Sequence, residues 1–193
     1  RDMQVEAVHA ATPLQAGMLF ESMRAPAAGI YVTQVILSLR GCIDPCTLEA
    51  ALADVQRHFP VLRSAFAFRN VAEPVQVVSK TAPLPWRLVD GRSLDVAARA
   101  AQLQALLLEQ QRCGFDFGVA PLMSVTLFRI DEAEYRLIWS HHHSVIDGWS
   151  IPRVIEALQL AYVARTHGRA PLLPETAPYA DYVAWLARQD LGA

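Results

Sequence analysis

Residues 135–150 read Tyr-Arg-Leu-Ile-Trp-Ser-His-His-His-Ser-Val-Ile-Asp-Gly-Trp-Ser, and how they fold decides the architecture around them. Tyr135 to Ser140 is short and rich in strand formers, which predicts a β-strand. Met123 to Ile130 predicts a second strand, and the acidic turn Asp131-Glu132-Ala133-Glu134 joins the two into a hairpin with its charge where solvent can reach it. The hairpin leads directly into three consecutive histidines. Side chains alternate along a strand, so His141 and His143 are expected on the face of Leu137 and Trp139, and His142 on the other. Gly148 is expected to let the chain turn sharply, and Ser150 to cap a helix carrying Ile151, Val154, Leu158 and Ala161 on its buried side and ended by Gly168.

Working outward, Thr12-Pro13 supplies a hydroxyl cap and an early proline for a helix over the following residues. Tyr31 to Leu39 alternates as a strand, with Val35, Leu37 and Leu39 on one side and Gln34 and Ser38 on the other. Asp44-Pro45 opens a helix whose stripe is Leu48, Leu52, Val55 and Phe59. Leu62 to Arg69 and Val75 to Ser79 predict two strands around an Asn70 to Pro74 turn. Ser93 or Asp95 caps a long helix with the stripe Val96, Ala100, Leu103 and Leu107, stopped by Gly114. A last helix is expected from about Tyr179 to Gln189. Strands and helices alternate without a clean βαβ repeat, so the fold class is α/β of the α+β type, a mixed sheet flanked by helices.

The chain has 193 residues, enough for one domain or one lobe of a larger unit. Hydrophobic residues make up 53% and charged residues 19%, which excludes a disordered or fibrous chain. A formal net charge of -2 without a basic block gives no footprint for nucleic acid. No apolar run approaches the ~20 residues that span a bilayer, and the first residues lack the apolar stretch of a signal peptide, so a cytoplasmic protein without membrane association is expected. The chain opens on Arg1 rather than Met, which suggests a piece of a longer polypeptide. Cys42, Cys46 and Cys113 lack CxxC spacing and are expected as buried or half-buried small residues.

Imidazole is the side-chain base that is substantially neutral near pH 7, so a histidine on a cleft wall suits proton transfer from an amine or hydroxyl. A single histidine beside a strand is more often a hydrogen-bonded structural residue, and both readings stand for this segment. His141, His143 and Asp147 offer metal ligands, but no further ligand cluster accompanies them and no metal is expected. GxSxG, P-loop and GxGxxG patterns are absent, and Ser144 lies too close to His143 in sequence to form a triad with it.

His142-His143-Ser144-Val145-Ile146-Asp147-Gly148-Trp149-Ser150 resembles the HHxxxDGxS signature of condensation domains from nonribosomal peptide synthetases, within the chloramphenicol acetyltransferase-like superfamily. Thr12 to Phe20 resembles the family's first motif, Val61 to Phe66 its LRTxF motif, and Phe115-Asp116 with Pro121-Leu122 the stretch before the active-site hairpin. Ser124 stands where many relatives carry Arg. The resemblance spans the chain and implies residues 1–193 as the N-terminal subdomain, one lobe of the superfamily fold, with the C-terminal subdomain absent. It implies an acyltransferase that joins a donor acyl or peptidyl thioester to an acceptor aminoacyl thioester. Both would be carried on phosphopantetheine arms of upstream and downstream carrier domains, beside the adenylation domain of the same synthetase, with no cofactor bound by the domain itself. An ester-forming or epimerising relative and a noncatalytic binding lobe are the alternatives.

His143 matches the second histidine of the signature and is the candidate catalyst, as general base or as a group that stabilises the tetrahedral intermediate. His142 is expected to support the loop by hydrogen bonding. Asp147 is expected to pair with Arg63 and so hold the loop that aims His143.

Overall fold

The hairpin of residues 123–142 lies at the centre of the protein, in the computed structural model that describes residues 4–189; Arg1 lies outside them. In chain order the strands are β1 (Val5–Ala10), β2 (Val32–Arg40), β3 (Ser64–Ala67), β4 (Val75–Ser79), β5 (Trp86–Asp90), β6 (Met123–Arg129) and β7 (Glu134–His142). The helices are α1 (Pro13–Arg24), α2 (Pro45–His58), α3 (Val96–Cys113), α4 (Ile151–Thr166) and α5 (Tyr179–Leu186).

Four strands form a mixed sheet in the order β2-β7-β6-β5, antiparallel except for β5 beside β6, as an α+β mixed sheet requires. A second, three-stranded antiparallel sheet, β1-β4-β3, is not distinguishable from it by periodicity. β1 and β5 carry no sequence signal at all. Both sit at sheet edges and are half exposed, so neither shows a sustained apolar alternation.

Val35, Leu37 and Leu39 of β2 and Tyr135, Leu137 and Trp139 of β7 face α2 and α4, which contribute Leu48, Leu52, Val55, Val154, Ala157 and Leu158 to one core. At roughly 1.5–3 kcal/mol per large aliphatic side chain, this layer supplies most of the hydrophobic stabilisation of the hairpin. Asp54 on α2 locks the two helices together by accepting from Arg165 Nη2 on α4 at 2.8 Å.

Thr12 caps α1 as expected and completes a capping box with Gln15, and Asp44 and Asp95 cap α2 and α3. Four expectations are corrected. Residues 60–63 form a short 3-10 turn, because Pro60 starts it, and the strand begins only at Ser64. On α3, Val96 and Ala100 are exposed and Leu106 is the buried residue, since only the C-terminal half of this helix lies against the protein. All three cysteines are exposed. Ser150 adopts helical backbone angles and makes no capping bond; its role passes to Asp147.

Candidate active site

β7 is flanked on both sides, by β2 and β6, so the histidines emerge from an interior strand of the sheet. His141 and His142 still belong to it. The ladder runs one residue further, where the His143 N–H donates to the Tyr31 carbonyl at 2.8 Å. The chain then leaves the sheet in a loop pinned on both sides. Val145 enters the cluster of Leu19, Phe66 and Leu122, and the next residue, Ile146, enters the α2/α4 core. The two apolar residues of Ser-Val-Ile-Asp thus fasten the loop to two separate cores. Gln15, buried at the start of α1, adds a third fastening by donating from Nε2 to the Ser144 carbonyl at 2.9 Å and to Gln76 Oε1 at 3.0 Å. Sequence reasoning assigns Gln15 no role here; its place three residues after Thr12 signals the capping box and not the loop contact.

His142 is 1% exposed and fully hydrogen-bonded. The Ser144 backbone N–H donates to Nδ1 at 3.3 Å, with Ser144 Oγ 2.7 Å from the same nitrogen. A nitrogen that accepts from a backbone donor carries no proton, so Nε2 holds it and donates to Ser22 Oγ at 3.0 Å. Ser22 passes the bond on to the Ile30 carbonyl at 3.3 Å. The ring also meets Phe117 edge-on at 4.8 Å. His142 is therefore tied to Ser22 on α1 and to Ser144 in the loop. It forms part of the wall of a cavity of about 290 Å³ that also involves Met23, Ile30, Phe68 and Phe115. That cavity lies on the opposite face of the sheet from the one His143 continues.

His141 stacks at a tilt on Trp139, ring centroids 4.7 Å apart, and is 0% exposed. His143 is half-buried, the most accessible of the three. Burial first, then the neighbouring His143 charge, pushes both His141 and His142 down from 6.5 to about 4. A histidine with a depressed folded pKa contributes nothing to stability above its unfolded value. As pH falls from about 6.5 toward about 4 the unfolded chain binds protons that the folded one refuses, so stability falls through that window. Denaturant titrations between pH 7.5 and 4.5 are expected to show proton uptake on unfolding approaching two per chain, reduced by about one when His141 is replaced by Phe; a pH-independent midpoint would contradict the burial of these rings. Asp54 and Asp147, held low by hydrogen bonds from Arg165 and Ser150 respectively, lose their stabilisation only at lower pH, so the windows separate.

The expected Asp147–Arg63 pair does not form. Asp147 is exposed and accepts from the Ser150 N–H at 2.8 Å, fixing the turn that starts α4. Arg63, 4% exposed, ties three elements together elsewhere. It donates to Glu6 Oε2 of β1 at 2.7 Å, to the Gln56 and Arg57 carbonyls at the end of α2, and to the carbonyls of Ser79, the last residue of β4, and of Lys80 beyond it. A buried guanidinium answers the negative end of the α2 dipole and its terminal carbonyls, while the exposed Asp147 carboxylate keeps its hydration. Gly148 has no positive φ, and a Cβ there would meet nothing within 4 Å, so its backbone does not need glycine for the turn. Trp149 beside it is 90% exposed. Among the described residues no group of three or more His, Cys, Asp and Glu converges on a metal site, and no helix is long and apolar enough to cross a membrane.

The family described as Condensation domain matches residues 5–192. The chain belongs to the condensation-domain family. Its relatives include bacitracin synthase 3 of Bacillus licheniformis, 34% identical over 96% of this chain and 3% of that protein, and tyrocidine synthase 2 of Brevibacillus parabrevis, 29% identical over 97% of this chain and 5% of that protein. Solved condensation domains share the fold. The first condensation domain of the CDA synthetase superposes with a TM-score of 0.85 at 20% identity, covering 94% of this chain and 45% of the other. The starter condensation domain of rhizomide synthetase gives 0.84 at 19%, covering 95% and 44%. The chain thus spans under half the length of these solved domains and a few per cent of the synthases it resembles. The mixed sheet flanked by helices is that of nonribosomal peptide synthetase condensation domains, the chloramphenicol acetyltransferase-like fold anticipated from HHxxxDG.

Proposed function

We propose that residues 1–193 are the N-terminal half of a condensation domain that forms an amide bond between two carrier-bound substrates. The observation that carries this reading is the loop after β7, fastened by Val145, Ile146 and Gln15, in which His143 is the one histidine of three that is not fully buried. The acceptor amine attacks the donor thioester carbon and His143 removes the amine proton; the tetrahedral intermediate collapses with loss of the donor phosphopantetheine thiolate, which regains a proton. Asp147 and His142 position the loop from either side of His143, Arg63 ties β1, α2 and β4 together away from it, and Gly148 leaves the exposed side of the loop without a side chain, where a substrate arm can approach the backbone. Upstream and downstream carrier domains, the adjacent adenylation domain and a C-terminal subdomain are the partners of this reading, and the reaction runs in the cytoplasm.

One wall orients nothing. Alignment of two reactants supplies roughly 7–11 kcal/mol in favourable cases, and it needs both lobes around the two thioesters. Donor and acceptor carrier domains loaded with aminoacyl thioesters are expected to yield a dipeptidyl thioester, read by mass spectrometry, with the two-lobed domain that contains this chain. The 193 residues alone are expected to yield none. Comparable turnover by the isolated chain would show a complete site within it and overturn the half-domain reading; an ester or an inverted donor as sole product would favour the ester-forming or epimerising alternative.

A further inference from the structure

Four buried polar atoms stand without a hydrogen-bond partner along one face of β7 and its extension: Trp139 Nε1, both ring nitrogens of His141, and His143 Nδ1. They occur at positions 139, 141 and 143, successive residues of one face, and the ladder bond from His143 N–H to Tyr31 keeps the third in register with the other two. Trp139 and His141 already stack. The contrast with His142 is complete, since both its nitrogens are satisfied by Ser22 and Ser144.

Orphaned groups so enclosed are ordinarily joined by a buried water that makes about three hydrogen bonds. Donor and acceptor types restrict how such a group can be wired. Indole N–H only donates, and a neutral imidazole donates from one nitrogen and accepts at the other. A water that accepts from Trp139 can give its own proton to an acceptor, and His141, buried with neither ring nitrogen partnered and kept neutral by that burial, offers one. With Trp139 and His143 both donating to that water and the water donating to one nitrogen of His141, three of the four orphaned atoms are partnered.

We propose that His141 is a positioning residue for His143: through a water shared with Trp139 it takes up the Nδ1–H of His143, so that Nε2 is left with the lone pair that receives the amine proton. The inference rests on His143 being the catalytic base. It explains why a third histidine, otherwise an unsatisfied polar ring at 0% exposure, is placed where an apolar residue would pack without penalty.

The test uses the complete two-lobed domain labelled with ¹⁵N-histidine, the His143 ring signals being assigned by their loss in His143→Ala. At pH 8 the parent is expected to show His143 as the Nδ1–H tautomer. His141→Phe is expected to convert it to a mixture and to lower kcat about 10-fold with KM for the loaded carriers unchanged. His141→Gln, whose amide oxygen can accept from the water, is expected to restore the tautomer and most of kcat. An Nε2–H tautomer in the parent overturns the proposal, as does a folded His141→Phe with parental tautomer and kcat, or a folded His141→Gln that behaves no better than a non-accepting ring. Should His141→Phe not fold, the parental tautomer and His141→Gln decide between the same results. Full turnover by His143→Ala, with Nδ1–H still seen in the parent, would instead remove His143 from the chemistry and end its positioning by His141, a failure of the catalytic reading and not of the hydrogen bond.

Discussion

His143→Ala, made in the complete domain, is expected to lower peptide-bond formation by ~10²–10⁴-fold, the range of a positioned proton-transfer group, with a melting transition close to that of the parent. The two halves of this expectation come from different features. The loss of rate follows from removing the least buried ring of the signature. The preserved stability follows from what the ring does not hold: none of its side-chain atoms is hydrogen-bonded among the described residues, and Val145, Ile146 and the Gln15 bond to Ser144 keep the loop in place without it. His142→Ala is the opposite case, because it strips a partner from Ser22 and Ser144 in a closed interior and is expected to act mainly on stability. Steady-state product formation and circular-dichroism melting on the same preparations separate the two. A folded His143→Ala with parental turnover would leave the reaction without its base.

The largest loss of stability is expected from Arg63→Ala, about 3–5 kcal/mol, as for removal of one member of a buried ionic network. The guanidinium serves five acceptors on three elements, and its deletion leaves the carbonyls of Gln56, Ser79 and their neighbours without a donor in a site that is 4% exposed. Glu6→Ala is expected to cost far less, since that carboxylate is largely exposed and regains water. A double-mutant cycle on urea midpoints distinguishes the observed network from the one HHxxxDG suggests. Arg63→Ala combined with Glu6→Ala is expected to be non-additive, and combined with Asp147→Ala additive. Coupling between Arg63 and Asp147 would contradict the geometry.

What is legible in the chain follows the distinction between local and distant causes. The α1, α2 and α3 caps, the β6–β7 hairpin and the α4 stripe depend on residues within a few positions of one another, and Thr12, Asp44 and Asp95 announce them. The HHxxxDG segment points to the family, which the match over residues 5–192 bears out. Partners far apart in sequence are another matter. Arg63 and Asp147 are both charged and both belong to known signatures, yet charge alone cannot say which of 19 acidic residues a buried arginine will meet; here strand β1, unrecognised because its burial is weak, brings Glu6 to it. The same limit hides Gln15 and Ser22, whose roles exist only once α1 is laid against the histidine loop. The exposed cysteines defy expectation because the usual burial of free thiols is a statistical habit, and helix ends such as those carrying Cys46 and Cys113 face outward here.

The bond from Gln15 to Ser144 joins residues 129 positions apart, and β2 waits for β7 in the same way, Val32 pairing with His142. A chain leaving the ribosome presents its N-terminal segments first, so during synthesis β2 is exposed with both of its edges open and its apolar face uncovered until roughly a hundred further residues have been added. Non-local strand pairing is also slow once the partner arrives. The histidine loop, fastened to Gln15 near the start of the sequence and to the core of α2 and α4, is therefore among the last parts of the chain to be assembled, and nascent chains stalled before residue 142 carry an unsatisfied strand that invites pairing with its neighbours on the same polysome. In a synthetase built from many such domains, the tempo of translation through this segment becomes a determinant of how much of the polypeptide emerges correctly paired.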